Sequence, residues 1–209
     1  MYVNRSLFRS AAAVVTALAV MALSAGCGDD TSNGGGQAGD RSTPAGSPSA
    51  AAYNQADIAF AQGMIPHHQQ AVQMAELARS RANDPQVKDL AAEIEAAQAP
   101  EIEEMTTWLT GWDASLPSAP AGADAHDGAH GGMPGMMTDQ DMAALEAASG
   151  HDFDRMFLEM MIVHHEGALE MANTEQQQGQ NPAAKALAEK IHADQTAEIG
   201  RMRSLLGGN

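Results

Sequence analysis

Cysteine is nearly absent. Cys27 is the single one in 209 residues, so no disulfide can form within the chain and packing must hold the fold. Positive charge is scarce too: 11 Lys and Arg stand against 27 Asp and Glu, a formal charge of −16. A phosphate backbone needs a basic face, which excludes nucleic acid as a partner. β-Branched residues are few in the body of the chain, which argues against strands. The lone cysteine and the lack of a strand–Ser–helix elbow argue against a hydrolase. Long hydrophobic runs are missing as well. The one candidate, Ala11 to Leu23, is short for a membrane span but suits the apolar stretch of a signal peptide.

The N-terminus reads as an export signal. Arg5 and Arg9 precede the apolar stretch, which ends at Leu23-Ser24-Ala25-Gly26-Cys27. Small residues before a cysteine resemble a bacterial lipoprotein cleavage signal, with residues 1–26 removed and lipid placed on Cys27. A plain secretory signal with an incidental cysteine is the competing reading. Residues 27–52 are rich in Gly, Ser, Ala, Pro and Asp, with no apolar period, and read as a flexible tether. The expected location is the extracytoplasmic face of the cell membrane, with the chain attached through its lipid. Losing Arg5 and Arg9 moves the formal charge from −16 to −18, a surface that attracts cations without naming one.

Residues 53–209 contain an internal repeat. At a constant offset of 97, Asp57, Phe60, Met64, Ile65, His67, His68, Ala71, Met74 and Ala75 fall on Asp154, Phe157, Met161, Ile162, His164, His165, Ala168, Met171 and Ala172. Pro85, Lys88, Leu90, Ala91, Ile94, Gln98, Glu101, Ile102, Met105 and Leu109 fall on Pro182, Lys185, Leu187, Ala188, Ile191, Gln195, Glu198, Ile199, Met202 and Leu206. Such self-similarity marks two copies of one structural unit. Each copy reads as a helical hairpin, with repeat one at 54–110 and repeat two at 151–207. Phe60, Met64, His67, His68, Ala71, Met74, Ala75 and Ala78 share one helix face. Asp84-Pro85 and Asn181-Pro182 read as N-caps followed by proline at the first helical position. Leu90, Ile94, Gln98, Ile102, Met105 and Leu109 form the inward stripe of the second helix, with Gly111 and Gly207 at its C-cap in the two copies. Pro66 and Pro100 fall inside helices and predict bends; their mates are Val163 and Ala197. Loop 111–137 joins the hairpins, and Thr138-Asp139-Gln140-Asp141 opens a short helix over 138–148. The expected fold is all-α, a four-helix bundle built from two hairpins.

The repeated side chains are metal-binding in kind. Thioethers are soft ligands that select Cu(I), while imidazole accepts several metals, Cu(II) among them. Met64 and His68 stand four residues apart, His67 and Met74 seven, and Met161, His165, His164 and Met171 repeat the pattern. With a turn near Asn83, Gln98 lies opposite His68 and Gln195 opposite His165, where each could fix a ring tautomer. Met105 and Met202 lie about one turn away. Methionine stripes are commonly core filler. Four buried imidazoles without a role are costly, however, because each carries polar nitrogens that need partners. The connecting loop adds His126, His130, Met133, Met136 and Met137, a tract suited to metal capture.

The stretches Met64-Ile65-Pro66-His67-His68-Gln69-Gln70-Ala71-Val72-Gln73-Met74-Ala75 and Met161-Ile162-Val163-His164-His165-Glu166-Gly167-Ala168-Leu169-Glu170-Met171-Ala172 resemble bacterial domain-of-unknown-function family 305. The resemblance covers about residues 53–207 and includes the Gly135-Met136-Met137 step. It implies a ferritin-like helical bundle, an exported location and, for some members, copper binding and tolerance through His and Met ligands. The expected function is copper binding, not turnover: sequestration, tolerance, or delivery to a copper-transfer partner. Two other readings compete. A di-iron oxidase would need paired Glu-x-x-His motifs, and only Glu189-Lys190-Ile191-His192 fits. A metal-free surface module that binds another protein would leave the histidines as hydrogen-bonded core.

Overall fold

The computed structural model describes residues 52–117 and 133–207. Five helices follow in chain order: α1 (Gln55–Arg81), α2 (Pro85–Gly111), α3 (Asp139–Ala147), α4 (Gly150–Gln178) and α5 (Pro182–Gly207). Among the described residues there is no β-strand. The leader, the tether and Cys27, with His126 and His130 of the loop, lie outside them.

The helix boundaries follow from local chemistry. The Asn54 side chain accepts from the Ala56 and Asp57 amides, and Asp57 returns a bond to the Asn54 amide, closing a capping box. Asp84 caps α2 with Pro85 behind it, and Asn181 caps α5 through the Ala183 and Ala184 amides. Thr138 and Asp141 form the box that opens α3. Gly111 and Gly207 close their helices as the last helical residues, and Trp112 takes the C-cap of α2. Both Pro66 and Pro100 lie inside helices.

α1 and α2 form one antiparallel hairpin, and α4 and α5 form the other. The hairpins join along α1 and α4, whereas α2 and α5 meet only marginally. The core splits into two apolar clusters. One, towards the hairpin turn at Ala82, holds Met74, Leu90, Ile94, Phe153, Phe157, Leu158, Met161 and Met202. The other, towards Trp112, holds Phe60, Met64, Met105, Leu109, Ala168, Leu187 and Ile191. Between them, at mid-bundle on all four long helices, lies a polar layer: His67 and His68, Gln98 and Glu101, His164 and His165, Gln195 and Glu198. The expected inward stripe of α2 shifts by one residue here. Glu101 is buried where Ile102 was expected, and Ile102 is half-buried.

Two buried aspartates tie the hairpins together reciprocally. Asp154 of α4 accepts the Asn83 and Asp84 amides in the turn of the first hairpin, at 2.9 and 3.0 Å. Asp57 of α1 accepts the Gln180 and Asn181 amides in the turn of the second, at 3.0 and 2.8 Å. Burial opposes the charge on Asp57, but backbone hydrogen bonds from Asn181 and Asn54 outweigh it and hold the carboxyl below its ordinary value. The Asp57 clasp carries an extra carboxyl, Glu175, whose mate in the first repeat is Ala78. Burial, and then the adjacent Asp57, push Glu175 up to about 8.

Replacing Asp154 by Ala leaves two turn amides without their charged acceptor and should cost about 2–4 kcal/mol in urea unfolding. The raised Glu175 has an ordinary value of 4.5 when unfolded, so its stabilisation is complete below pH 4.5 and is lost as pH rises through about 8. In Glu175→Gln the melting temperature should lose that decline between pH 5 and 8, read by calorimetry across the range.

Candidate metal centre

The polar layer collects the repeated histidines on adjacent turns of α1 and α4. All four rings are fully buried. His67 and His164 face each other across the α1–α4 seam with ring centroids 3.7 Å apart and planes tilted by 36°. His165 lies farther out, its ring 6.4 Å from that of His164.

Hydrogen bonds fix three of the four tautomers. His68 Nε2 lies 2.8 Å from Glu101 Oε2, and His165 Nε2 lies 2.6 Å from Glu198 Oε2. His67 Nε2 lies 3.1 Å from the Pro134 carbonyl, which can only accept. The proton therefore sits on Nε2 of His67, and the same assignment follows for His68 and His165 beside the Glu101 and Glu198 carboxyl oxygens. Each Nδ1 then carries a lone pair. Nδ1 of His67, His68 and His165 and both nitrogens of His164 are buried without a hydrogen-bond partner. Gln98 Nε2 and Oε1 and Gln195 Oε1 are buried without partners in the same layer. An orphaned buried polar atom costs about 1–3 kcal/mol, and eight of them gather in this layer.

The expected role of Gln98 and Gln195 is corrected by this geometry. Glu101 and Glu198 hold the His68 and His165 rings, and Gln98 makes no hydrogen bond. On a helix, positions three and four after residue 98 flank the same face. The ring N–H draws in a carboxylate because a charge-assisted bond is about twice as strong as a neutral one. The recurrence of Glu101 as Glu198 at the repeat offset was the available signal. Burial alone would raise the Glu101 carboxyl, but hydrogen bonds from His68 and Lys190 outweigh it and hold it below its ordinary value. Lys190 bridges to the first hairpin, reaching Glu101 Oε1 at 2.8 Å. Glu198 has no such lysine; the residue matching Lys190 is Glu93.

The methionines divide into three groups. Met64 and Met105 are fully buried in the cluster on one side of the layer. Met74, Met161 and Met202 are fully buried on the other side, with Met137 beside them. Met171, Met133 and Met136 are half-buried, with Met171 packed against the first of these clusters. Among the described residues no three His, Cys, Asp or Glu side chains converge as a ready chelate, so a metal here would draw on thioethers or on pairs of imidazoles.

A strap from Met133 to Met137 closes over the seam, and sequence reasoning found only part of it. Gln70 grips it at Met137, donating to the carbonyl at 2.9 Å and accepting from the amide at 2.8 Å. Gly135 has φ of +77°, and a Cβ there would lie 2.6 Å from the Val163 carbonyl oxygen. A Cβ on Gly167 would lie 2.0 Å from the Pro134 carbonyl oxygen. Two glycines thus let the strap lie flat on α4 with the Pro134 carbonyl aimed at His67.

The family model described as Domain of unknown function (DUF305) matches residues 57–206. The chain belongs to the DUF305 family. A DUF305 protein from Streptomyces coelicolor, described as secreted, has a structure similar to this one at a TM-score of 0.65 and 34% identity, covering 73% of this chain and 93% of that one. CopM in its Cu(I)-bound form is similar at a TM-score of 0.60 and 33% identity, over 73% of this chain and 96% of that one. CopM has also been solved with Cu(II), with silver and in an apo form. An uncharacterised protein, L153, of Acanthamoeba polyphaga mimivirus is 42% identical over 53 residues, a quarter of this chain and 35% of that protein. The DUF305 fold here is thus a helical bundle with a histidine layer across its middle.

Burial pushes the histidines of that layer down. His67 falls to about 3, chiefly by desolvation and then by the neighbouring His68, and His164 falls well below 6.5 for the same first reason and the nearness of His67. His68 is lowered by burial despite Glu101. A depressed imidazole keeps its stabilisation above its unfolded value of 6.5 and loses it as pH falls from there towards about 3. The metal-free protein should therefore weaken below pH 6.5, by up to about 1.4 kcal/mol per pH unit for each such ring. Urea unfolding between pH 4 and 7 should show a shallower decline in His67→Gln.

Proposed function

We propose that the protein binds copper outside the cytoplasm and holds it in the histidine layer, as Cu(I) where thioethers flank the rings. The observation that carries this reading is the set of buried imidazole lone pairs with no protein partner. Imidazole nitrogens without protein hydrogen bonds, on rings held at their other nitrogen by Glu101, Glu198 and the Pro134 carbonyl in three of four cases, suit a soft or borderline metal. Met64, Met105, Met161 and Met202 lie about one turn from the layer along their helices, and Met74 and Met171 about two. Similarity to CopM, a protein solved with Cu(I) and Cu(II), supports copper as the cargo. Similarity to a DUF305 protein described as secreted supports an extracytoplasmic site, in keeping with the leader on this chain. In this reading the lipid on Cys27 tethers the bundle to the membrane. His126, His130, Met133, Met136 and Met137 collect copper, either Cu(I) or Cu(II), and a copper-transfer partner can take it on. The activity is binding, not turnover.

The competing readings fare worse on the same residues. A di-iron centre would need Glu189 and His192 aimed inward with symmetric mates. Glu189 is exposed, and Lys190 between them places its ammonium on Glu101. A metal-free interaction module would satisfy the ring nitrogens within the core, and here five of the eight have no protein hydrogen bond.

Residues 53–209 titrated with Cu(I), Cu(II), Zn(II) and Fe(II) should bind Cu(I) most tightly. His67→Ala with His164→Ala should abolish that binding, and Glu101→Gln with Glu198→Gln should weaken it roughly 10–100-fold while every imidazole remains. Exposed histidine sites release metal below about pH 6. With His67 depressed to about 3, copper in the layer should be retained to lower pH than that. Unchanged stoichiometry in both double variants would rule the layer out.

A further inference from the structure

Met133 and Met171 come together at a place where α1 has no side chain. A Cβ on Gly63 would lie 3.5 Å from the Met171 sulfur and 3.9 Å from the Met133 sulfur. Two thioethers from different elements, the strap and α4, therefore converge on one point of α1. The residue at this register in the second repeat is Met160. One repeat carries its own methionine there, and the other leaves a glycine and imports two sulfurs. Gly63 stands one turn before His67 on α1. Met133 directly precedes Pro134, whose carbonyl holds His67 Nε2 at 3.1 Å. Met171 also lines an open cleft of about 190 Å³ together with Phe60, Thr174 and Glu175. Neither methionine is fully buried, unlike Met64, Met74, Met105, Met161 and Met202.

We propose that Met133 and Met171, over Gly63, form a separate thioether site for a monovalent soft cation, placed between the cleft and the histidine layer. Thioether sulfur selects Cu(I) or Ag(I) over Zn(II) and Cu(II). It has no proton to lose, so the affinity of this site does not depend on pH. The site deepens the copper reading and rests on it only for the identity of the natural cargo. The ligand chemistry belongs to the two sulfurs alone. Its place beside the His67 latch makes it a station on the way into the layer.

The test uses the full chain with methyl-labelled methionine and Ag(I) as a probe that does not change oxidation state, at pH 5 and pH 7. The Met133 and Met171 methyl resonances, assigned from Met133→Leu and Met171→Leu, should shift together with Ag(I) at both pH values. The double leucine variant keeps the apolar volume and should lower the affinity of this site at least tenfold, leaving the histidine ring resonances responsive to Ag(I). Gly63→Leu fills the space without removing a ligand and should do the same. If the rings respond and the two methyls do not, the pair is packing only, and the copper reading of the layer stands. If the methyls respond and the rings do not, the thioether site stands and the layer reading fails. Silence from both would overturn both.

Discussion

A ring nitrogen buried away from water has to be given something to bind, and the bundle is arranged around that demand. Four imidazoles at mid-height divide the apolar core into two clusters. Glu101, Glu198 and the Pro134 carbonyl are each turned inward to accept a ring N–H. Those three bonds decide the tautomers and leave the opposite nitrogens bare. A layer so costly to bury is weak evidence for stability. Lys190 adds a positive charge behind Glu101, which keeps that carboxyl ionised and the His68 ring fixed.

The two repeats agree in framework and differ in detail. Both hairpins share the capped turns, the paired histidines and the carboxylate behind the second ring. The strap is bonded to His67 and Gln70 of the first repeat and lies on α4 of the second, where Gly135 and Gly167 permit a backbone approach that a Cβ on either would block. Glu175 has no mate, and neither does the Lys190 bridge. The layer is thus symmetric in its histidines and asymmetric in what surrounds them. His67 is held by a backbone carbonyl on a strap, His68 and His165 by side-chain carboxylates.

Most of the architecture could be read from the sequence because its signals repeat. Asp84-Pro85 and Asn181-Pro182 mark the second helix of each hairpin, and Thr138 with Asp141 marks α3, each within a residue or two of its observed start. The paired histidines were legible for the same reason. What escaped was side-chain direction at one step of helix. Residues 101 and 102 flank one face, and apolar bias favours Ile102, whereas the ring N–H of His68 selects Glu101. Desolvation, which no local pattern reveals, lowers His67 to about 3. The grip of Gln70 on Met137 and the contact of Gly167 with Pro134 span some 30 to 70 residues of chain, beyond the reach of periodicity.

The aspartate clasps bear on how such a molecule folds. Each hairpin turn has backbone amides whose acceptor belongs to the other hairpin. Neither half can finish its own turn, so the two repeats form one cooperative unit and not a pair of small domains in tandem. A single hairpin of this kind would expose a buried-type aspartate and an open turn, and it would find both complements in a second copy of itself. The duplicated chain carries the geometry of such a symmetric dimer within one polypeptide, where the connecting segment fixes the stoichiometry at one to one and leaves each half free to diverge.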